Sequence, residues 1–121
     1  METRSEILGR LELGLKRYNH GVRVDDDTRT WGTPKDSWME MAKEELLDAI
    51  IYTIADYIRN VRSRFSKFFV CAPLSFRKND ELDDNKLIMS IVDDWECVES
   101  PQHKMMLWNL FKMLDCDIFR N

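Results

Sequence analysis

From Ser37 to Arg64 the chain has neither glycine nor proline, and the next proline is Pro73. No other feature narrows the fold as much, because an unbroken run with apolar residues at three- and four-residue steps predicts one long helix. Its centre, from Leu46 through Ile50, Ile51, Tyr52 and Ile54 to Ile58, is apolar almost all round. A helix of that kind needs cover on several sides, from its own domain or from another subunit. The start is placed at Thr33-Pro34-Lys35-Asp36, with Thr33 as cap, Pro34 at the first helical position and Asp36 as the capping-box acid.

Shorter helices are expected around it. Ile7, Leu8, Leu11 and Leu15 set a helix over residues 3–17, with Arg17 near the end where the helix dipole favours a cation. Gly9 and Gly14 weaken it or mark close helix contacts. Residues 18–37 break the periodicity, with Asn19, Gly21 and Gly32 as turn formers and an acidic run at Asp25, Asp26 and Asp27. That segment is longer than the roughly two to eight residues usual between helices. It carries His20, Arg23, Arg29 and Trp31, which are able to grip an anion or stack on a ring; the plainer reading is a surface loop pinned to the core by Trp31. A third helix is expected over residues 81–98. Ser100 and Pro101 reset the chain as cap and first position of a fourth helix, ending near Leu114. The result is an all-α bundle of about four helices with a long central second helix, in a single domain over residues 1–121.

Composition removes several classes of function. The net charge of -4 gives no electrostatic reason to bind nucleic acid. No apolar run reaches the roughly 18 residues of a spanning helix, and METRSEILGR does not read as a signal peptide. No membrane association is therefore expected. Cys71, Cys97 and Cys116 read as reduced thiols of an intracellular protein, so a cytoplasmic location is expected, the host cytoplasm if the source is viral. His20 and His103 lack partners at zinc spacing, no Ser/His/Asp or Cys/His set can be placed, and no Gly-rich phosphate loop is present. His103 reads as surface or cap. Arg59, Arg62, Arg64 and Lys67 form a basic patch suited either to the helix C-terminus or to phosphates.

Carboxylates on the long helix carry the chemistry. At about 100° per residue, with Glu45 at zero, Asp48 falls at roughly 300°, Tyr52 at roughly 340° and Asp56 at roughly 20°. Trp38, Met41 and Ala49 lie on that side, while Leu47, Ile50, Ile54, Ile58 and Val61 lie opposite. Acids on an aromatic-lined, partly dry face repel one another unless a cation or basic side chains neutralise them. Mg2+ does so with two or three protein oxygens while keeping waters for a phosphate. Glu44 points away from Glu45 and would reach only the rim. Asp56 stands about 12 Å along the axis from Asp48, too far to share one ion. It would serve a neighbouring site, hold a basic residue or support the ligand through an outer shell. Alternatively, Arg and Lys from other helices pair with all of these acids.

The segment from Trp38 to Tyr57, WMEMAKEELLDAIIYTIADY, resembles the all-α nucleotide pyrophosphohydrolases of the MazG and dimeric dUTPase superfamily. The family's EExxE signature is matched by Glu44-Glu45-Leu46-Leu47-Asp48, with Asp replacing the last Glu. The resemblance implies helical subunits assembling as homodimers or homotetramers, which use Mg2+ and activated water to split a nucleoside triphosphate into the monophosphate and pyrophosphate. It implies metal binding by Glu45 and Asp48, with Glu44 as water activator or further ligand. A second signature, ExxD, has its form in Glu81-Leu82-Asp83-Asp84, farther along than the family spacing; Asp56 or acids of another chain are the alternatives. Lys16, Arg17, Arg23 and Arg29 would neutralise phosphate charge, and Trp31 or Trp38 would stack on the base. The segment around Tyr18-Asn19-His20-Gly21, Trp31-Gly32 and Trp38 is similar to short viral or phage members. The competing reading is a non-catalytic binding or regulatory protein on the same scaffold, favoured by the shorter Asp48 and the displaced ExxD.

Overall fold

A computed structural model describes residues 2–67, 76–77 and 83–119, the side chain of Ser66 excepted. The described residues form four α-helices: α1 (Glu2–Tyr18), α2 (Trp38–Lys67), α3 (Asn85–Asp93) and α4 (Pro101–Leu114). The all-α expectation with a long second helix holds, and no strand occurs among the described residues. The chain divides into two compact units, residues 1–36 and residues 37–121.

In the first unit α1 buries none of its residues; Ile7, Leu8, Leu11 and Leu15 are all exposed. Asn19, at φ 63°, takes the left-handed turn that stops the helix, a conformation asparagine tolerates better than most residues. The Trp31 ring then stands edge-on to Tyr18 at 5.2 Å, so the indole pins its loop to the end of α1. Asp27 caps a 3₁₀ turn over Thr28–Trp31 by accepting the Arg29 N–H at 2.9 Å. Gly32 closes that turn at φ 106°, a value only glycine adopts without strain. Beneath it, the buried hydroxyls of Thr28 and Thr33 lie 2.9 Å apart, and Thr33 Oγ1 donates to the Lys35 carbonyl at 2.6 Å. Asp36 accepts the Thr28 N–H at 3.0 Å.

These contacts correct the expected start of α2. Thr33 and Asp36 are engaged in the loop, and Ser37 caps the helix instead, its Oγ accepting the Glu40 N–H at 3.2 Å. Ser37-Trp38-Met39-Glu40 is itself a capping-box sequence that the Thr33-Pro34 pair obscures.

In the second unit Ile50, Ile54, Tyr57, Ile58 and Val61 bury one side of α2. At about 100° per residue they span an arc of roughly 100° centred near Ile54. Ile91 of α3, Leu107 and Leu110 of α4, and Val98 complete the core, with Ile54 and Leu107 wholly buried. Each such side chain contributes about 1.5–3 kcal/mol through removal from water. Helix α3 is shorter than the expected 81–98: it stops at Asp93, and a separate 3₁₀ turn covers Trp95–Cys97. Helix α4 has the expected bounds, with Pro101 in its first turn and Ser100 as cap. Arg62 ties α2 to the chain leading into α3: it donates to the carbonyl of Phe76 and holds Asp84, the residue before α3, at 2.9 Å. The basic patch thus contains a structural member.

Candidate functional site

The side of α2 away from the core carries the acids. Roughly 180° from Ile54 lies Glu45, with Tyr52 and Asp56 on the same strip and Asp48 on its flank. Glu44 and Glu45 are exposed, Asp48 is half-buried, and Tyr52 is 67% exposed. On the face expected to be partly dry, Met41 and Ala49 are likewise half-buried, so among the described residues that face is partly covered. Among the described residues, no hydrogen bond or ion pair engages the side chains of Glu44, Glu45 or Asp48. The expected alternative, neutralisation by Arg and Lys of other helices, is not seen among those residues. Three residues apart on one helix, Glu45 and Asp48 occupy neighbouring positions on its surface.

The remaining expected ligands lie elsewhere. Glu81 is outside the described residues. Asp84 is held by Arg62, which stands fourteen residues beyond Asp48 on α2, roughly 21 Å along the axis. One chain therefore does not bring Asp84 to the Glu45–Asp48 pair. Among the described residues no group of three or more His, Cys, Asp or Glu side chains is arranged around a common ion position. Lys16, Arg17 and Arg23 are exposed in the first unit, as is Trp31 with its edge contact to Tyr18. Arg29 is taken by Asp27, with Nη2 to Oδ2 at 2.6 Å. Hydrogen bonding from Arg29 lowers the Asp27 carboxyl from its ordinary 3.8 to about 2. Trp38 opens α2, partly exposed.

Asp56 has the most developed surroundings. Its Oδ2 lies 2.6 Å from His103 Nε2 of α4, and Asn60 Nδ2 donates to the same oxygen at 3.2 Å. His103 Nδ1 lies 2.5 Å from Ser100 Oγ, which also accepts the His103 backbone N–H at 3.4 Å. An ionised carboxylate only accepts, so Nε2 carries the proton toward Asp56 and, in the neutral ring, Nδ1 accepts from the Ser100 hydroxyl. Acid, imidazole and cap thus form one chain from α2 to the start of α4, and the His103 side chain is only 16% exposed. Tyr57 packs its ring 5.6 Å from the imidazole and accepts the Glu99 N–H at 3.3 Å.

This Ser–His–Asp chain could not be placed from the sequence, and His103, read there as surface or cap, lies at the α4 cap and also reaches Asp56. Forty-seven residues separate Asp56 from His103, so only the packing of α4 on α2 reveals it. The Ser100-Pro101 cap is the one local signal, since a histidine three residues after a capping serine can return a bond to it. Chemically the chain orients Asp56 and fixes where its proton-bearing neighbour stands.

Beside it runs an open groove of about 420 Å3 between α2 and α4, lined by Tyr52, Asp56, Asn60, Gln102, His103 and Met106 among others. The groove begins one helical turn beyond Asp48. No family model, no curated protein and no solved structure matches the chain.

Proposed function

We propose that the protein is a Mg2+-dependent nucleoside triphosphate pyrophosphohydrolase, converting an NTP or dNTP to the monophosphate and pyrophosphate. The observation that carries this reading is the Glu45–Asp48 pair, at neighbouring positions on one face of α2 with no partner engaging either acid among the described residues. Mg2+ is ordinarily held by one or two carboxylates plus substrate phosphates and water, so two adjacent acids fit it without a third protein ligand. When bound, the ion supplies phosphate charge neutralisation and a more acidic water. Glu45 and Asp48 are the residues to hold it. Glu44, exposed at the rim, is the residue to accept a proton from the attacking water. The resemblance of EELLD to the family signature gives the same assignment.

Oligomerisation belongs to the same proposal. Leu47 and Ile51 remain 44% and 43% exposed on the long helix, and a second copy in a homodimer or homotetramer would cover them. The rival reading is a non-catalytic binding or regulatory protein. It is favoured by Asp84, the acid nearest in form to a second motif, being occupied by Arg62.

The test is pyrophosphate release from a panel of NTPs and dNTPs with Mg2+, for wild type, Glu45→Gln and Asp48→Asn. Either substitution should reduce turnover by about 100-fold or more through lost metal affinity. Thermal melts without the ion should show equal or higher stability, because removing one charge relieves repulsion between neighbours. Loss of stability with no metal effect would instead identify the acids as structural partners. Wild-type inactivity across the panel, with no Mg2+ shift in melting even with nucleotide present, would end the enzyme reading.

A further inference from the structure

We propose that the α2–α4 groove beyond Asp48 is a nucleobase subsite, which stacks a ring on Tyr52 and selects an edge presenting adjacent N–H donors, as guanine does. This deepens the pyrophosphohydrolase reading and rests on it for the identification of the ligand as a nucleotide.

Four observations lead there. The Tyr52 ring is 67% exposed and contributes nothing to the core, so one aromatic face is available for stacking. Met106 lines the same groove and offers polarisable apolar surface beside it. Position comes next: Tyr52 follows Asp48 by one turn and Asp56 by two, about 6 and 12 Å along the axis. A nucleotide laid along α2 with its phosphates at Glu45 and Asp48 therefore places its base over Tyr52 and its ring edge at Asp56.

The fourth observation sets the selectivity. Asp56 Oδ2 is engaged by His103 and Asn60, while no described residue engages Oδ1. Because the carboxylate cannot donate, Asn60 must turn its NH2 toward Asp56, which leaves its own carbonyl oxygen free of any described partner. Asp56 Oδ1 and Asn60 Oδ1 thus offer two acceptors from side chains one turn apart, with one N–H of the Asn60 amide spent on Asp56. Guanine alone among the common bases presents a ring N–H beside an amino group, a donor–donor edge that matches two acceptors. Adenine and cytosine present one amino group beside an acceptor, which faces a carbonyl or carboxylate oxygen unfavourably. His103 and Ser100 act as positioning residues, holding the Asp56 carboxylate in one orientation.

The experiment is a 1H–15N NMR titration of the full chain with guanosine, adenosine, cytidine and uridine at millimolar concentration, without Mg2+. Guanosine should move the backbone amides of Tyr52 and Asp56 and the side-chain amides of Asn60 and Gln102, and should bind about tenfold more tightly than the others. Tyr52→Ala, at an exposed position that leaves the core intact, should weaken guanosine about tenfold. Asn60→Ala should reduce the preference for guanosine over adenosine, with unchanged far-UV circular dichroism as the folding control. Equal shifts from all four nucleosides, or none at these groups from guanosine, would overturn the proposal. Because nucleosides lack phosphate, the result is separable from catalysis. Guanosine binding without pyrophosphate release would sustain the subsite and remove the hydrolase, and pyrophosphate release without guanosine binding would do the reverse.

Discussion

Among the described residues, the first thirty-six bury two side chains, Thr28 and Thr33, whereas residues 37–121 bury nine, from Ile50 to Leu110, all hydrophobic. Each unit is a different answer to the entropy of ordering a chain. In the second, apolar area leaves water along one side of α2, and the non-directional character of that force tolerates small shifts. In the first, two hydroxyls, one carbonyl and two carboxylates hold a loop by bonds that work only within narrow distances and angles. Polar support of this kind adds little net energy per bond but is costly to break singly, since the partner left behind is buried without a substitute. The lesson is that the smaller unit is specified by geometry and the larger by area.

The contrast can be broken most forcefully at Ile54. Replacing this wholly buried residue by alanine should cost about 2–5 kcal/mol, read as a lower urea midpoint by far-UV circular dichroism. A loss below about 1 kcal/mol would mean that area is not what holds the second unit. A smaller, local effect is expected from Thr28→Val, which keeps shape but removes the hydroxyl between Thr33 and the Lys35 carbonyl. It should cost about 1–3 kcal/mol, visible as faster amide exchange across residues 28–36. Unchanged exchange there would show that the hydroxyl pair is incidental.

The mildest test uses acid. Asp27, held at about 2 by Arg29 against an ordinary 3.8, stabilises its turn at every pH above the ordinary value. That contribution is lost as pH falls from 3.8 through about 2, because the unfolded chain binds the proton first. Asp27→Asn should remove this acid sensitivity, followed by the Arg29 and Gly32 amide shifts. Among the described residues the core of the second unit contains no carboxylate, so the Ile54 methyl resonances should not follow the same curve.

The same contrast explains what can be read from the sequence. Helix α2 is legible because Ile50, Ile54, Ile58 and Val61 repeat at helical steps, and α4 because Ser100-Pro101 is a start signal with a local mechanism. The Glu45–Asp48 adjacency likewise follows from spacing alone. The start of α2 is misplaced because Thr33-Pro34 resembles a cap, while the hydrogen bonds that draw Thr33 to Thr28 depend on tertiary placement. The Asp56–His103 bond is invisible for a similar reason: periodicity places each residue on its own helix but does not tell which helix faces which. The acidic face is only partly dry, with Glu45 and Tyr52 exposed and Asp48 half-buried, because periodicity does not tell how far neighbouring helices reach around α2.

Arg62 has a consequence for how the chain is threaded. By holding Phe76, Arg77 and Asp84 from the far half of α2, its guanidinium closes a ring of backbone between residues 62 and 84 without a covalent cross-link. Closing such a ring costs entropy that grows only logarithmically with its circumference, about 0.6 kcal/mol for each doubling. The register of α3 against α2 is therefore decoupled from the length of chain between them. Lysine would offer its three N–H donors from a single nitrogen, whereas the arginine fork spreads Nε, Nη1 and Nη2 over separate positions that reach Phe76, Asp84 and Arg77.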